Sequence, residues 1–243
     1  MSLHDKLRQL GESSDQKSRI DGYKALCAEL FAAANVDELR AFLEHVTGED
    51  IALVVARQVL QEIAVALPAL PAEPLKALGN LALERISNRA SSFEEQGSLI
   101  REHMANVFEA EEEWSTAAKL LAAIPMDSGI RMIEVSYKVD KYIKIAMLYL
   151  QDEEAVSAET FINRAALLIN DAEEDNSGVQ IPDHLKLQHK VCYARILDSK
   201  RKFLEAATRY HQLSQLTTRT FGTMTVRVCE RARVDAHRAC CAR

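Results

Sequence analysis

Apolar side chains recur along most of the chain at spacings of three, four and seven residues, which is the pattern of helices with one buried face. Three segments repeat this pattern without gaps around an anchor residue at position 114, 155 or 203. Alanine recurs nine residues before and three residues after each anchor, and a large apolar residue recurs seven residues after it. The repeat therefore assigns matching structural positions to Ala105, Trp114, Ala117 and Leu121, to Ala146, Ala155, Ala158 and Ile162, and to Ala194, Phe203, Ala206 and Tyr210.

Each repeat predicts a helical hairpin, that is, two amphipathic helices joined by a short charged turn. The predicted turns are Glu109–Glu113, Gln151–Glu154 and Asp198–Lys202. Alanine at the matching positions lets the paired helices approach closely, and the anchors Trp114 and Phe203 are predicted to fill the core between them. Tetratricopeptide repeats use small and aromatic residues similarly with a period of about 34 residues, whereas these anchors are 41 and 48 residues apart. We therefore expect longer helices and looser connections.

Four more helices are predicted upstream, at Arg19–Ala34, Asp37–His45, Ile51–Leu67 and Pro74–Ile86. Asn35 and Asp50 are the expected N-caps of the second and third of these helices. The predicted fold is an all-α superhelical solenoid of antiparallel helix pairs, tetratricopeptide-like and continuous as a single domain. It comprises residues 19–216, with an N-terminal segment at 1–18 and a tail rich in arginine and cysteine at 217–243.

Composition supports helices and argues against several classes of function. The 243 residues include eight glycines and five prolines, against average usages of about 7% and 5%, which disfavours turn-rich β-folds. No two glycines are closer than eleven residues, so no glycine-rich phosphate loop can form. The net charge of −6 argues against a nucleic-acid partner. Ile63–Ala72, the longest uncharged apolar stretch, has ten residues, against about 20 for a membrane span, so no membrane association is expected.

The cysteines are predicted to be free thiols. The N-terminus is polar and lacks an apolar signal segment, which indicates a reducing compartment. Cys27 and Cys192 fall within helical segments and are predicted to pack in the core. Cys229, Cys240 and Cys241 lie in the tail, in a spacing that fits no zinc site.

Clustered catalytic or metal-ligating residues are not found in the sequence. His184 and His189 are the closest histidine pair, and a spacing of five residues points them about 140° apart on a helix. His103 follows a helix face and is predicted to be a partly buried packing residue. The acidic runs at 109–113 and 171–175 coincide with predicted loops, where they are expected to be solvated. We therefore predict no catalytic residue, no cofactor and no bound metal.

Several longer segments resemble the family of COP9 signalosome subunit 4, namely Ser92–Gln96, Glu111–Ala118, Ile162–Ala165, His189–Asp198 and Arg201–Ala207. The resemblance covers about residues 20–216 and implies a superhelix of paired helices, similar to proteasome lid subunits. In that family a helical linker and a winged helix follow, together called the PCI domain. The match ends near Thr217, so we expect this module to be missing or replaced in this chain. Without the module, we do not expect the chain to assemble stably with the complex.

The resemblance implies a non-catalytic role. The signalosome removes the ubiquitin-like protein NEDD8 from cullins with a zinc isopeptidase that another subunit carries. The resemblance implies that the N-terminal repeats of this family extend toward the cullin and the RING protein. The implied partners are other signalosome subunits and cullin–RING ligase components, in the cytoplasm and nucleus. The alternatives are a PCI scaffold subunit of the proteasome-lid type, a tetratricopeptide-like peptide-binding adaptor, which would need a basic clamp, and a cryptic metal hydrolase, which would need stoichiometric metal.

Overall fold

The structure, a computed structural model, describes residues 3–12, 16–48, 50–129, 131–174 and 180–220. Eleven α-helices and two short 3₁₀ helices account for most of these residues, and the described ranges contain no β-strand. The prediction of an all-α fold built from helix pairs is confirmed. The tail at 221–243, with Cys229, Cys240 and Cys241, lies outside the described residues.

The chain divides into two compact units. Unit 1 comprises Met1–Glu113 and Ala123–Ile130, and unit 2 comprises Trp114–Ala122 and Arg131–Arg243. The boundary runs through the first predicted hairpin, because its two helices belong to different units. The extent of one continuous domain over 19–216, between flanking segments at 1–18 and 217–243, stays a prediction.

Unit 1 contains α1 (Leu3–Glu12), α2 (Gln16–Ala33), α3 (Val36–Val46), α4 (Leu53–Ala66), α5 (Ala72–Ile86) and α6 (Glu94–Ala110). The 3₁₀ helices Leu67–Ala69 and Ser87–Ser92 follow α4 and α5. Helix α2 packs on α4, α3 on α5, and α6 on both α4 and α5. The predicted upstream helices are therefore present, with ends that differ by at most three residues.

The two predicted N-caps of unit 1 have different outcomes. Asn35 caps α3, because its side-chain oxygen accepts a hydrogen bond from the backbone N–H of Glu38 at 3.5 Å. The prediction for Asp50 is wrong: α4 begins at Leu53, and Ala52 occupies the N-cap position without a side-chain hydrogen bond. The chain first turns to bury Ile51, which is 6% exposed, and this turn leaves Asp50 exposed and too far upstream to cap the helix.

The core of unit 1 is built around aromatic residues from α2 and α3. The rings of Tyr23 and Phe42 lie 6.3 Å apart between centroids, and both side chains are fully buried. The Tyr23 hydroxyl lies 3.0 Å from Nε2 of His45, so the polar end of this buried tyrosine has a partner. A buried aromatic pair of this kind fixes how the two helices meet.

Unit 2 contains α7 (Trp114–Ala122), α8 (Val135–Gln151), α9 (Ala155–Glu174), α10 (Asp183–Ser199) and α11 (Phe203–Thr220). Helix α8 makes its most extensive contact with α9 and also packs on α7 and α10, while α10 packs on α9 and α11. The second and third predicted hairpins are therefore confirmed as the pairs α8/α9 and α10/α11.

Buried alanines lie at the matching positions of these pairs. Ala146, Ala158 and Ala194 are fully buried, and Ala206 is 2% exposed. The buried large residues Ile162 and Leu121 lie at the seventh position after the anchor, while Tyr210 is half-buried at the same position. Ala105 and Ala117 are buried as well, and Trp114 and Ala155 are half-buried. Their role as repeat anchors stays a prediction.

The prediction that Phe203 is a core anchor is wrong. Its side chain is 46% exposed, and the next residue, Leu204, is 87% exposed. Phe203 begins α11, and this helix turns Ala206 and Leu213 toward the core instead. The first turn of α11 is therefore not covered by other helices to the extent that a core anchor at Phe203 would need.

The three predicted turns share one backbone conformation. The residue two positions before each anchor has a left-handed φ, of 63° at Glu112, 61° at Glu153 and 59° at Arg201. In each turn the next backbone N–H donates to the carbonyl oxygen five residues earlier at 2.9 Å, joining Glu113 to Phe108, Glu154 to Tyr149 and Lys202 to Leu197. This is the hydrogen bond of a Schellman C-cap, which usually contains glycine at the left-handed position.

Replacing Glu153 with glycine is expected to raise the free energy of unfolding by up to about 1 kcal/mol. Glycine has no Cβ and so avoids the steric strain of a left-handed backbone, but its larger unfolded-state entropy offsets part of this stabilisation. Asp152→Gly is the matched control, since Asp152 has a φ of −86° and gains nothing from glycine. Thermal unfolding should move up for Glu153→Gly and down for Asp152→Gly. A downward shift for both variants would contradict the shared turn.

Candidate functional site

The histidine, cysteine and acidic side chains that could bind a metal are dispersed in the described part of the fold. Across the described ranges, no group of three or more histidine, cysteine, aspartate or glutamate side chains is placed to hold a metal ion. His184 is exposed on α10. Half-buried His189 lies 3.1 Å through Nε2 from the backbone carbonyl oxygen of Ile162 on α9. Because a carbonyl can only accept, Nε2 carries the proton and joins the two helices.

Burial also determines the charge of two histidines. It lowers the pKa of His189, which the adjacent Lys190 charge lowers further and the Ile162 hydrogen bond partly restores. It lowers the pKa of His103 too, against the opposing charge of Glu102. A histidine whose pKa lies below its ordinary value is neutral at pH 7. Both side chains are therefore neutral at pH 7.

The acidic run at 109–113 is partly structural. Glu111 pairs with Lys76 of α5 at 2.5 Å, and the same ammonium pairs with Glu73 at 2.9 Å. The Lys76 ammonium also lies 5.2 Å from the centroid of the Phe108 ring. Glu111 is exposed, as expected for this run, and its carboxylate also ties the end of α6 to α5. The prediction of a loop at the second acidic run, 171–175, is wrong for residues 171–174, because α9 continues to Glu174.

Glu94 is a buried carboxylate that the sequence did not single out. It is 9% exposed at the first position of α6, where it accepts a hydrogen bond from the Ser128 hydroxyl through Oε1. Its Oε2 has no hydrogen-bond partner among the described residues. A helix N-terminus stabilises a negative charge, so the Glu94 carboxylate stabilises the first turn of α6. We therefore assign Glu94 a structural role.

Cys27 and Cys192 are free and buried, as predicted from their helical positions. Burial raises the pKa of Cys27 to about 11, with a further contribution from the Glu62 charge. Burial raises the pKa of Cys192 to about 12, although the Arg195 charge opposes the change. Both groups are therefore neutral thiols at physiological pH.

Both buried cysteines should resist alkylation in the folded protein. At pH 8 about one Cys27 thiol in a thousand, and fewer at Cys192, carries the reactive thiolate, and each side chain is at most 3% exposed. Iodoacetamide at pH 8 followed by peptide mass spectrometry should leave both residues unmodified in buffer and modify both in urea. Rapid labelling of either in buffer would contradict its packing.

A groove of about 520 Å³ lies among α9, α10 and α11, and we call it the α9–α11 groove. Helix α10 forms one wall and is linked to α9 by polar contacts in antiparallel order, at Glu173–Lys186, Ile162–His189 and Glu159–Lys200. Three more cleft residues come from α11: Arg209, Gln212 and Leu213.

The α9–α11 groove is basic in an acidic chain. Lys186, Lys190 and Arg209 line it together with a single carboxylate, that of Glu173. Glu173 pairs with Lys186 at 2.6 Å, and this hydrogen bond holds the pKa of Glu173 below its ordinary value. The Arg209 guanidinium lies 5.6 Å from the centroid of the Tyr193 ring. The groove therefore carries excess positive charge.

Sequence reasoning missed this groove, although a signal was present. Lys186, Lys190 and Tyr193 recur at spacings of four and three, which is one face of a helix. Arg209 joins them only through the α10/α11 hairpin, and the repeat predicts that hairpin without predicting which polar residues line its grooves.

None of the described helices combines the length and the apolar character that crossing a bilayer requires.

The chain matches known proteins along most of its length. A family model described as "PSMD12/CSN4, N-terminal" matches residues 2–219. The protein named COP9 signalosome complex subunit 4 from Arabidopsis thaliana is 41% identical over 220 residues, covering 90% of this chain and 53% of the relative. The protein of that name from Drosophila melanogaster is 41% identical over 201 residues, covering 82% and 47%.

The Dictyostelium discoideum protein of the same name is 40% identical over 214 residues, covering 88% of this chain and 52% of the relative. The chain thus spans about half the length of the curated relatives it matches. Because the family model extends over nearly all the described helices, the chain belongs to the PSMD12/CSN4 N-terminal family.

Proposed function

We propose that this chain is a non-catalytic scaffold subunit of the COP9 signalosome and contributes to cullin deneddylation by positioning the cullin–RING ligase substrate. The observation that carries the proposal is the identity of about 40% to three relatives named signalosome subunit 4, over 82–90% of this chain. Identity at this level over most of the chain supports a shared role in assembly.

The arrangement of charged groups supports a structural role. The ion pairs of Lys76, Lys186 and Lys200 each join two helices or a helix and a turn, and the His189 ring does the same through Ile162. Polar groups placed in this way hold helix pairs in register, which gives a repeat protein the continuous surface that it presents to partners.

The proposed partners are the other signalosome subunits and components of cullin–RING ligases, with no nucleic acid and no membrane among them. The proposed location is the cytoplasm and the nucleus. A scaffold subunit of the proteasome lid is the alternative within the same class. The relatives reported above are named as signalosome subunits, which favours the signalosome.

Depletion of the endogenous protein tests this function. If the subunit positions cullin substrates, its loss should raise the fraction of cullin that carries NEDD8, and re-expression should restore it. The purified chain alone should not cleave NEDD8 from a cullin. An unchanged NEDD8–cullin fraction after complete depletion would contradict the proposal, and cleavage by the chain alone would contradict its non-catalytic part.

A further inference from the structure

The α9–α11 groove has cationic groups that its own helices do not neutralise. Lys190 is exposed, and Glu173, whose pKa its charge helps to lower, is already paired with Lys186. Arg209 is also exposed, and its contacts are with the Tyr193 ring and, at 3.4 Å, with the Gln212 side-chain oxygen. With Lys186 already paired to Glu173, Lys190 and Arg209 are the charges available to a ligand.

The remaining lining of the groove suits a polypeptide. The side-chain amides of Asn163, Asn170 and Gln212 are exposed along it, and such amides can both donate to and accept from a peptide backbone. Ile169 and Leu213 are buried at its apolar base. A volume of about 520 Å³ is within the range that accommodates a ligand of several rotatable groups.

We propose that the α9–α11 groove binds an acidic, extended peptide segment of a partner protein, with Lys190 and Arg209 contacting its carboxylates. Charge complementarity carries the choice of partner, since a basic groove in a chain of net charge −6 attracts acidic segments locally. The available aromatic ring, Tyr193, already lies against Arg209, so single-stranded nucleic acid would lack a free stacking surface.

This binding is separate from the scaffold role proposed above, because it concerns one groove of unit 2 and requires no other signalosome subunit. Its test therefore uses the full 243-residue chain alone. Failure of peptide binding would leave the effect of depletion on NEDD8–cullin unchanged, and failure of the depletion test would leave peptide binding unchanged.

Fluorescence anisotropy with a labelled nonapeptide of eight acidic residues around one leucine provides the test, with the Gln/Asn version of that peptide as its neutral control. At about 0.1 M salt, where the Debye length is about 10 Å, the acidic peptide should bind and the neutral one should not. Lys190→Glu combined with Arg209→Glu should weaken binding about tenfold or more.

Lys119→Glu combined with Arg40→Glu is the matched control, because it changes the net charge equally at exposed residues that do not line the groove. It should change affinity less than about twofold. Asn170→Trp, at an exposed position of the lining, should block the groove without a change in helical content and keeps the test decisive if the charge variant unfolds.

Three results would overturn the proposal. These are equal weakening by both charge variants, equal binding of the neutral peptide, and no peptide binding while heparin or single-stranded RNA binds through Lys190 and Arg209. Loss of acidic-peptide binding in the groove variants alone would support it.

Discussion

Replacing Phe42 with alanine is expected to lower the free energy of unfolding by about 3–5 kcal/mol. The Phe42 side chain is fully buried on α3, and its ring lies 6.3 Å from that of Tyr23. Truncation removes the transfer free energy of the ring and leaves a cavity, which neighbouring side chains fill only in part. Urea unfolding followed by circular dichroism would measure the loss.

Phe203→Ala is the matched control for this variant, since it removes the same atoms from a side chain that is 46% exposed. We expect a loss of about 1 kcal/mol, because roughly half of the ring surface is already in water. Losses of equal size at Phe42 and Phe203 would contradict the burial described here and would restore Phe203 as a repeat anchor.

Replacing Ala146 with leucine is expected to cost about 1–3 kcal/mol through overpacking. Ala146 is fully buried on α8, a helix that packs against α7, α9 and α10. Three added carbon atoms have no free space there, so the helices must separate or the side chain must leave its preferred rotamer. The midpoint of thermal unfolding should fall accordingly.

Ala207→Leu on α11 is the control, because Ala207 is exposed while its neighbour Ala206 is 2% exposed. Leucine and alanine are both strong helix formers, so this change should shift stability by less than about 0.5 kcal/mol. An Ala146→Leu variant whose midpoint of thermal unfolding is unchanged would contradict close packing of the α8/α9 pair.

The sequence predicted the second and third hairpins because the repeat marks the helices and the positions of the turns between them. The alanines at identical offsets are buried, and the left-handed residue falls two positions before the anchor in all three turns. The turn conformation itself could not be predicted, since Glu112, Glu153 and Arg201 stand where glycine is the usual signal.

Features that depend on contacts between distant segments were beyond sequence reasoning. Gly79 gave no signal of its role, yet a Cβ at this position of α5 would lie 2.5 Å from Sδ of Met104, which is buried on α6. The burial of Ile51 moved the start of α4 away from Asp50 in the same way. Helix pairing of this kind depends on side chains that are far apart in sequence.

The candidate groove was missed for a related reason. Periodicity identifies apolar faces because the hydrophobic effect selects them along each helix. The groove depends on polar positions from three helices, and only the packing of α10 between α9 and α11 brings Lys190 near Arg209. Its residues therefore became candidates after the helices had been placed.

The central claim, that this chain serves as a signalosome scaffold, is tested most directly by tagging the endogenous full-length gene product and identifying its co-purifying proteins by mass spectrometry. We expect the other signalosome subunits to co-purify with it, with cullin–RING ligase components at lower levels. Recovery of proteasome lid subunits in their place would contradict it.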